Sequence, residues 1–491
     1  EDLSQGSRDT LKNVIQNYTL RRSINFTNVR KERSTGGNKK NTRESRSVKG
    51  GNQKGLSSSG RGGRGGVKSK LYDIENISLS YSYNEVFNRN INTEFSRMVE
   101  HNGGLGYNYN NSPKNHKPFS KIKFIKKSKY LRLIKDFNFY LLPKTISMRT
   151  DFNKSYSETK MRNIAGLNTT QAINIIEPDT MFNKLFNLTQ NYNLKFDLTK
   201  SLKLNFSSNT RSIVDEPEGK IDTQQERDAI RDSILSFGRP TMYHHQFDVR
   251  YSLPINKFPL TDWISLTINY DGTYDWNAGS RALINDSINL GNTIQNSNKK
   301  RINGQLNMKT LYNKVPFFKK LNSPSSKGQV RKSGPKSRQS SKSDSKAKNP
   351  KIEQNSKDQK KQSENEDEEK EKMNVLVKAI EHGSRMLLSV KNITLSYDET
   401  NGTMIPGFLP QSGFMGFEER FDVSSAPGWR FLLGDQFNMR PLLVDNNWIT
   451  SDTLLNQQYT TQFTSRLNFR STLEPIRKLR IQLTAQRTEN K

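Results

Sequence analysis

The sequence predicts an all-β protein: an antiparallel transmembrane β-barrel segment, part of a very large barrel, with two disordered basic insertions. Three observations predict this class. Apolar and polar residues alternate with a period of two along most of the chain. Several of these alternating stretches are longer than the five or six residues usual for strands of soluble proteins. The connections between them alternate between short and long, as in bacterial outer-membrane barrels.

The alternating stretches are the predicted strands. Between Tyr459 and Leu473 the odd positions are mostly apolar and the even positions are all polar. A membrane strand needs about 9–11 residues, with one face toward lipid and the other toward a polar lumen. The pattern therefore favours a barrel wall over a soluble sandwich, with about fourteen strand candidates and little helical patterning outside 373–386. Other clear examples lie at 77–83, 192–198, 202–206, 247–253, 264–274 and 479–485.

The connections predict a topology. The short connections are 199–201, 254–261 and 474–478, and the long polar ones are 158–187, 214–241 and 277–302. Long connections of bacterial barrels are external and short ones are periplasmic. Continuing this parity along the chain places 87–102 and 399–430 outside, and 112–143 with both basic tracts on the periplasmic side.

The composition explains where the charge lies. The chain has 491 residues, a formal charge of +31 and only 31% hydrophobic residues, which is low for a soluble globular domain. Two tracts of low apolar content contribute +10 and +5 of this charge, and both are predicted to be disordered. The predicted organisation is a barrel strand region at 1–32, a Gly/Ser/Arg-rich insertion at 33–70, barrel strands and loops at 71–323, a charged linker at 324–372, and barrel strands and loops at 373–491.

The basic tracts also raise nucleic-acid binding as an alternative. Gly60–Gly66 reads GRGGRGG, which is similar to RNA-binding Arg-Gly-Gly repeats. The repeat is short and no aromatic residue lies between Arg33 and Leu71, so a flexible basic loop is the favoured interpretation. No nucleic-acid partner is expected.

The residue types of catalytic and metal sites show no suitable spacing. The chain has no cysteine, and none of its five histidines has metal-ligand spacing. His244 and His245 should lie on opposite faces of a strand. The acidic residues around Pro217 and Gly219 indicate a turn, with a calcium site as the minor alternative. Gly103–Gly106 precedes a strand, whereas a phosphate loop precedes a helix. We therefore expect no enzyme activity, no cofactor and no metal.

Six residues are candidates for functional roles in a barrel. Trp263, Tyr274, Trp276 and Tyr459 lie near strand ends and are candidate members of an interfacial aromatic girdle. Arg466 and Arg470 lie on the polar face of their strand and are candidate lumen-facing residues. They would give the lumen a positive potential. The simpler interpretation is that they are solvated residues of the barrel wall with no specific role.

Five segments have a composition and order that can be compared with a known family: Asp73–Glu85, Ile134–Lys144, Asp215–Gly219, Pro406–Pro410 and Ala426–Trp429. They resemble the SprA/Sov family, the outer-membrane translocon of the type IX secretion system of Bacteroidetes, which is also linked to gliding motility. The resemblance covers roughly 14–30, 71–320 and 373–491 and excludes the two basic tracts. The chain begins Glu1-Asp2-Leu3 without a leader and ends within a strand pattern, so we expect it to be an internal piece of a longer protein.

The resemblance implies a function and partners. It implies the C-terminal part of a protein-conducting channel that moves folded cargo proteins across the bacterial outer membrane to the cell surface. The implied partners are a PorV-type shuttle barrel, a periplasmic plug protein, the secreted cargo and outer-membrane lipid. The alternatives are a nutrient receptor barrel of the TonB-dependent type and a basic nucleic-acid-binding protein. A surface adhesin is a further class, but the sequence has no fixed repeat period to support it.

Overall fold

A computed structural model describes residues 15–31, 70–122, 124, 130–162, 178–280, 288–316, 318, 383, 388–418, 424–476 and 479–491. The described chain is mostly β. Twelve strands form one antiparallel sheet in which every strand pairs with its neighbours in the sequence, and β1 and β12 lie at the two margins without closing the sheet into a barrel. The strands are β1 Tyr18–Val29, β2 Ile77–Arg89, β3 Thr93–Asn110, β4 Thr145–Met161, β5 Met181–Asp197, β6 Leu202–Ile213, β7 Arg239–Leu253, β8 Ile264–Asn277, β9 Asn292–Asn307, β10 Val390–Phe408, β11 Thr460–Ile476 and β12 Leu479–Asn490.

Short helices lie in the connections between strands. They are α1 Arg132–Lys135, α2 Gln224–Leu235, α3 Met308–Tyr312, α4 Trp429–Leu432 and α5 Arg440–Asp445, with 3-10 turns at Ile74–Asn76, Pro118–Lys121, Pro254–Lys257 and Phe414–Gly416. Among the residues that the structure describes, no helix has the length and apolarity needed to cross a membrane.

The connections of this sheet lie at two opposite ends of the strands. We call them end A, with connections 30–76, 111–144, 198–201, 254–263, 308–389 and 477–478, and end B, with connections 90–92, 162–180, 214–238, 278–291 and 409–459. The grouping of connections predicted from parity is confirmed, because the three long connections share end B with 90–92 and 409–459. Which end faces the outside of a cell stays a prediction.

Several connection bounds were predicted wrongly. The segment 87–102 is not a loop, because β2 continues to Arg89 and β3 begins at Thr93. Similarly, 399–408 belongs to β10, and Gly103–Gly106 lies inside β3 rather than before a strand. The strands are longer than the apolar alternation indicated, because both faces carry polar residues near end B while the backbone ladder continues.

Helix α2 was also missed within the connection 214–238. Its N-terminus has a capping box: Thr223 Oγ1 accepts a hydrogen bond from the Glu226 backbone N–H (3.3 Å), and Glu226 accepts one from the Thr223 N–H (3.0 Å). These bonds satisfy N–H groups that the first turn of a helix leaves free. Ile230 then packs with Val214 against Phe186 and Leu188 of β5.

The strand register assigns every side chain to one of two faces, because residues directly opposite in an antiparallel pair project on the same side. Face 1 carries Leu79, Leu105, Leu194, Leu395 and the residues in register with them. Face 2 carries the intervening positions, most of which are Ser, Thr, Asn, Gln or charged residues. The predicted alternation of an apolar and a polar face is therefore confirmed for the described strands. The predicted insertions 33–70 and 324–372 lie outside the described residues, apart from Lys70.

A packed cap covers face 1 near end B. We call residues 409–418 and 424–459 the cap; they connect β10 to β11. Four of its side chains (Phe431, Leu432, Met439 and Leu443) are no more than 3% exposed. They pack on a buried row of β7–β10: Tyr243, Tyr274, Trp276, Ile294, Ile405 and Phe408.

Candidate functional site

Face 1 is apolar and exposed toward end A. Ten strands each carry at least one large apolar residue here with 38–57% of its surface exposed. We call this surface the apolar band; its members include Phe26, Leu79, Leu105, Met148, Leu194, Tyr251, Ile302, Leu395, Leu467 and Leu483. An apolar surface that crosses a whole sheet is unusual on a soluble monomer and marks contact with a membrane or with another protein.

Face 2 is polar behind this band. Its charged residues form cross-strand contacts such as that between Arg301 Nε and Asp398 Oδ1 (2.6 Å). Arg466 lies directly opposite Asp398 in the register, and Arg470 lies opposite Thr394. Both arginines are exposed on face 2, as the sequence predicted. Their proposed role in a lumen stays a prediction.

A series of tyrosines marks where the apolar band stops. Tyr83, Tyr192, Tyr270 and Tyr397 are half-buried residues of face 1, and we call them the tyrosine line. Each hydroxyl points toward end B. Tyr83 donates to Glu85 and Tyr397 to Glu399 (2.9 Å each), while Tyr192 donates to Gln190 (2.9 Å) and Tyr270 to the Leu433 carbonyl oxygen (2.6 Å). The rings thus lie against the apolar band and the hydroxyls lie in polar surroundings.

The tyrosine line crosses the sheet diagonally. A row here means the residues that lie directly opposite one another on successive strands. The row of Tyr83 reaches β5, three strands away from β2, at Phe186. Tyr192, the tyrosine of β5, lies six residues closer to end A than Phe186. The row of Tyr192 reaches β10 at Thr403, and Tyr397 again lies six residues closer to end A, over five strands. Twelve residues over eight strands correspond to about 41 Å along the strands and about 38 Å across them. The line therefore makes an angle of about 45° with the hydrogen-bond rows, which is the strand tilt typical of membrane barrels.

Beyond the tyrosine line, face 1 is charged on strands β1–β4. Glu85, only 8% exposed, contacts Arg97 Nε at 2.9 Å and Arg22 at 3.6 Å. Arg97 also reaches Glu158 at 3.7 Å. Glu85 and Arg97 are partly shielded and paired, so this end of face 1 is stable in contact with water and unsuited to hydrocarbon.

The cap is held on face 1 by side chains of four strand residues. These side chains bond five consecutive backbone carbonyl oxygens of the cap, 431–435. Asn296 Nδ2 donates to Phe431 O (3.0 Å) and Asp435 O (3.1 Å), and Asn298 Nδ2 donates to Gly434 O (2.6 Å). His245 Nε2 donates to Leu432 O (2.7 Å), and Tyr270 supplies the bond to Leu433 O. The buried N–H groups of Asn296, Asn298 and His245 thus have their hydrogen-bond acceptors in the cap.

The four candidate girdle aromatics lie in different surroundings. Tyr274 and Trp276 are 0% and 1% exposed beneath the cap, so they supply packing and have no exposed surface for lipid. Tyr459 packs at the margin of the same cluster, with Arg440 over its ring at 4.8 Å. Trp263 is half-buried at end A, where its Nε1 donates to Leu260 O (2.9 Å); its girdle role stays a prediction.

The histidine and acidic candidates are engaged in ordinary contacts. His245 lies on face 1 and His244 on face 2, with His244 Nδ1 2.6 Å from Asp275 Oδ1, so the predicted opposite orientation is confirmed. Asp215 binds Arg239 through two hydrogen bonds (2.9 and 3.0 Å), and Glu216 pairs with Lys154. Within the described ranges no group of three or more His, Cys, Asp or Glu side chains has the geometry of a metal site.

Sequence reasoning missed the tyrosine line. A signal was present, because Tyr83-Asn84-Glu85 and Tyr397-Asp398-Glu399 both place a tyrosine and an acid two residues apart on one face. Tyr156-Ser157-Glu158 repeats the pattern on β4, further toward end B. The motif alone therefore does not give the position of the line, which also needs the strand register.

Comparisons with known proteins add no family assignment. The sequence matches no protein-family model, and no curated protein is significantly similar to it.

Proposed function

We propose that this chain is part of the wall of a wide outer-membrane β-barrel that conducts folded proteins to the cell surface. The observation that carries the membrane part of the proposal is the apolar band, exposed on one face and bounded by a tyrosine line at about 45°. Tyrosine rings at a membrane interface orient in this way, with the ring toward hydrocarbon and the hydroxyl toward water. Lipid would cover the apolar band of face 1, and face 2 would line a water-filled lumen.

The protein-conducting part rests on face 2 and on the resemblance to the SprA/Sov family. Face 2 is dominated by small hydroxyl and amide side chains with interspersed charges of both signs. Such a wall stays hydrated and gives an unfolded or folded polypeptide few apolar contacts to adhere to. The partners that follow are those that the family implies: a PorV-type shuttle barrel, a periplasmic plug protein and secreted cargo.

Adjacent residues on opposite faces give a direct test. A photo-crosslinking amino acid at Asn468 would face the lumen, and the same amino acid at Leu467 would face lipid. In cells that carry the full-length protein, we expect secreted proteins to be captured from position 468 and not from position 467.

The same experiment separates the alternatives. A nutrient receptor of the TonB-dependent type would crosslink at position 468 to a plug domain of its own chain rather than to secreted proteins. Equal capture at both positions would contradict the assignment of the faces. A nucleic-acid-binding protein would instead bind nucleic acid with an affinity that falls steeply with salt concentration, and it would not fractionate with the outer membrane.

A further inference from the structure

The strands alone supply too little apolar height for a membrane. Between the tyrosine line and end A there are about six residue steps, as from Ile77 to Tyr83 and from Ile264 to Tyr270. Six steps are about 20 Å along a strand, or about 14 Å along the membrane normal at a tilt of 45°. The apolar band of an outer-membrane barrel is about 25 Å high. About 11 Å is therefore missing, and it is missing at end A.

The connections at end A carry exposed apolar side chains. Leu141 and Leu142, in the connection 111–144, are 66% and 54% exposed, and Leu260 of the connection 254–263 is 76% exposed. Phe119 and Phe137 belong to the same connection 111–144, with ring centroids 6.1 Å apart, and both side chains are more than a third exposed. We call these five residues the end-A patch. The connection 254–263 contacts the connection 111–144 through Lys257 and Asp136 (3.6 Å). The connection 111–144, which contains four of the five residues, joins β3 to β4, whose Leu105 and Met148 are exposed members of the apolar band.

The end-A patch is accompanied by positive charge. The described residues of the connection 111–144 contain six Lys or Arg side chains and a single acid, Asp136. Asp136 already contacts Lys257 (3.6 Å) and Arg132 (3.8 Å). Lys117 and Lys121 lie two residues to either side of Phe119, Lys144 lies two residues after Leu142, and all three lysines are exposed. Apolar side chains surrounded by lysines are typical of protein segments that lie in the interface of an anionic membrane.

Hydrogen bonds hold the patch at the strand ends. The Lys200 backbone N–H donates to Asn138 Oδ1 (2.9 Å), and the Tyr140 N–H donates to Leu198 O (3.1 Å). The strand-like bridge between His116 and Phe139 (2.9 and 3.0 Å) closes the connection on itself. Some of the backbone N–H and C=O groups of this connection are therefore hydrogen-bonded within the protein. A segment without regular secondary structure needs such bonds in order to lie at the boundary of the hydrocarbon layer.

We infer that the end-A patch is a lipid-binding element that lies in the membrane interface at end A, with its lysines on the phosphate groups of anionic phospholipids. The inference rests on the proposed membrane placement of the sheet and extends it. It names the lipid class and supplies the apolar height that the strands lack.

Single-cysteine probes test the inference. This chain contains no cysteine, and any cysteine elsewhere in the full-length protein is replaced by serine. Leu141→Cys reports on the patch, Leu105→Cys on the apolar band, and Leu235→Cys, 71% exposed at end B, on water. Each full-length variant carries an environment-sensitive dye in vesicles of phosphatidylcholine and phosphatidylglycerol, and brominated lipids serve as quenchers. We expect quenching at positions 105 and 141 and none at 235.

The outcomes at the two lipid-facing positions are distinct. Quenching at 105 without quenching at 141 would overturn the inference and leave the membrane placement of the sheet standing. It would point instead to a protein covering the patch. Absence of quenching at both positions would overturn the membrane placement itself.

Removal of charge tests the lipid class. In the triple variant Lys117→Gln, Lys121→Gln and Lys144→Gln, we expect the preference of the probe at position 141 for phosphatidylglycerol over phosphatidylcholine to fall roughly fivefold for each charge removed. A matched variant at end B, Lys220→Gln, Arg227→Gln and Arg231→Gln, removes the same charge from helix α2 and its flank and should leave that preference unchanged. An equal loss in both variants, or no loss in either, would overturn the assignment of anionic lipid.

Discussion

Substitution of Asn296 is expected to release the cap from face 1. Asn296 is fully buried and makes three hydrogen bonds to the cap: two from Nδ2, to Phe431 O and Asp435 O, and one accepted by Oδ1 from Gln436 Nε2 (2.9 Å). Asn296→Ala removes all three and leaves buried partners without a bond. At about 1 kcal/mol for each lost bond, the free energy of cap opening should fall by about 3 kcal/mol.

Hydrogen exchange measures this opening directly, because amides of a local unit exchange through its own opening reaction. A change of about 3 kcal/mol accelerates exchange roughly hundredfold, and we expect this over 429–445 with little change in the β9 amides. Asn303→Ala is the control, since Asn303 lies on the same strand but on face 2, where it accepts a bond from Ser396 (2.8 Å). Unchanged exchange of the cap in folded Asn296→Ala would refute the view that these bonds hold the cap.

Three further predictions concern the cap, helix α2 and the apolar band. Gly272→Ala should also speed exchange of the cap, because a Cβ atom at this position would lie 2.6 Å from a cap carbonyl oxygen; wild-type exchange would contradict this. Hydrogen bonds from the backbone N–H groups of Thr223 and Asp222 lower the pKa of Glu226 below its ordinary value of 4.5. The stabilisation of helix α2 by Glu226 is therefore complete above about pH 4.5 and is lost as the pH falls through the lowered pKa. Hydrogen exchange of the helix, corrected for intrinsic rates, should show this loss, and Thr223→Ala should cost about 1 kcal/mol. Leu395→Arg should destabilise insertion into bilayers by about 1–3 kcal/mol, while Thr394→Arg on face 2 should be near neutral, and equal effects in a folding titration would contradict the assignment of the faces.

The sequence alone predicts the sheet and its two faces well. A period of two is a local property, and it is sufficient to find strands such as β11 and to assign Leu467 and Asn468 to opposite faces. The alternation of short and long connections also grouped the connections correctly at the two ends. These features depend only on neighbours in the chain, so no knowledge of packing is needed to predict them.

Features that depend on distant contacts could not be predicted in the same way. Tyr274 and Trp276 resemble girdle residues in the sequence, and their burial depends on a cap that begins more than a hundred residues later in the chain. Helix α2 is short and polar, and only its capping box at Thr223 and Glu226 distinguishes it from a loop. Strand ends near end B were missed because face 1 there carries residues such as Asn298, which bond the cap instead of presenting an apolar surface.

Alternation gives the face of a side chain, but only the register between strands gives its height in a membrane. Tyr83 and Tyr397 lie on different hydrogen-bonded rows. In the proposed membrane placement these two tyrosines mark one boundary, because tilted strands would shift the membrane plane by about 1.5 residues for each strand. The same geometry shows that face 1 has two parts: an apolar part toward end A that is too short to span a bilayer, and a polar part toward end B that binds the cap. The proposal for the end-A patch follows from the difference between the height of this apolar part and the height of a membrane. Because the tyrosine line bounds the apolar band toward end B, the band can be extended only toward end A.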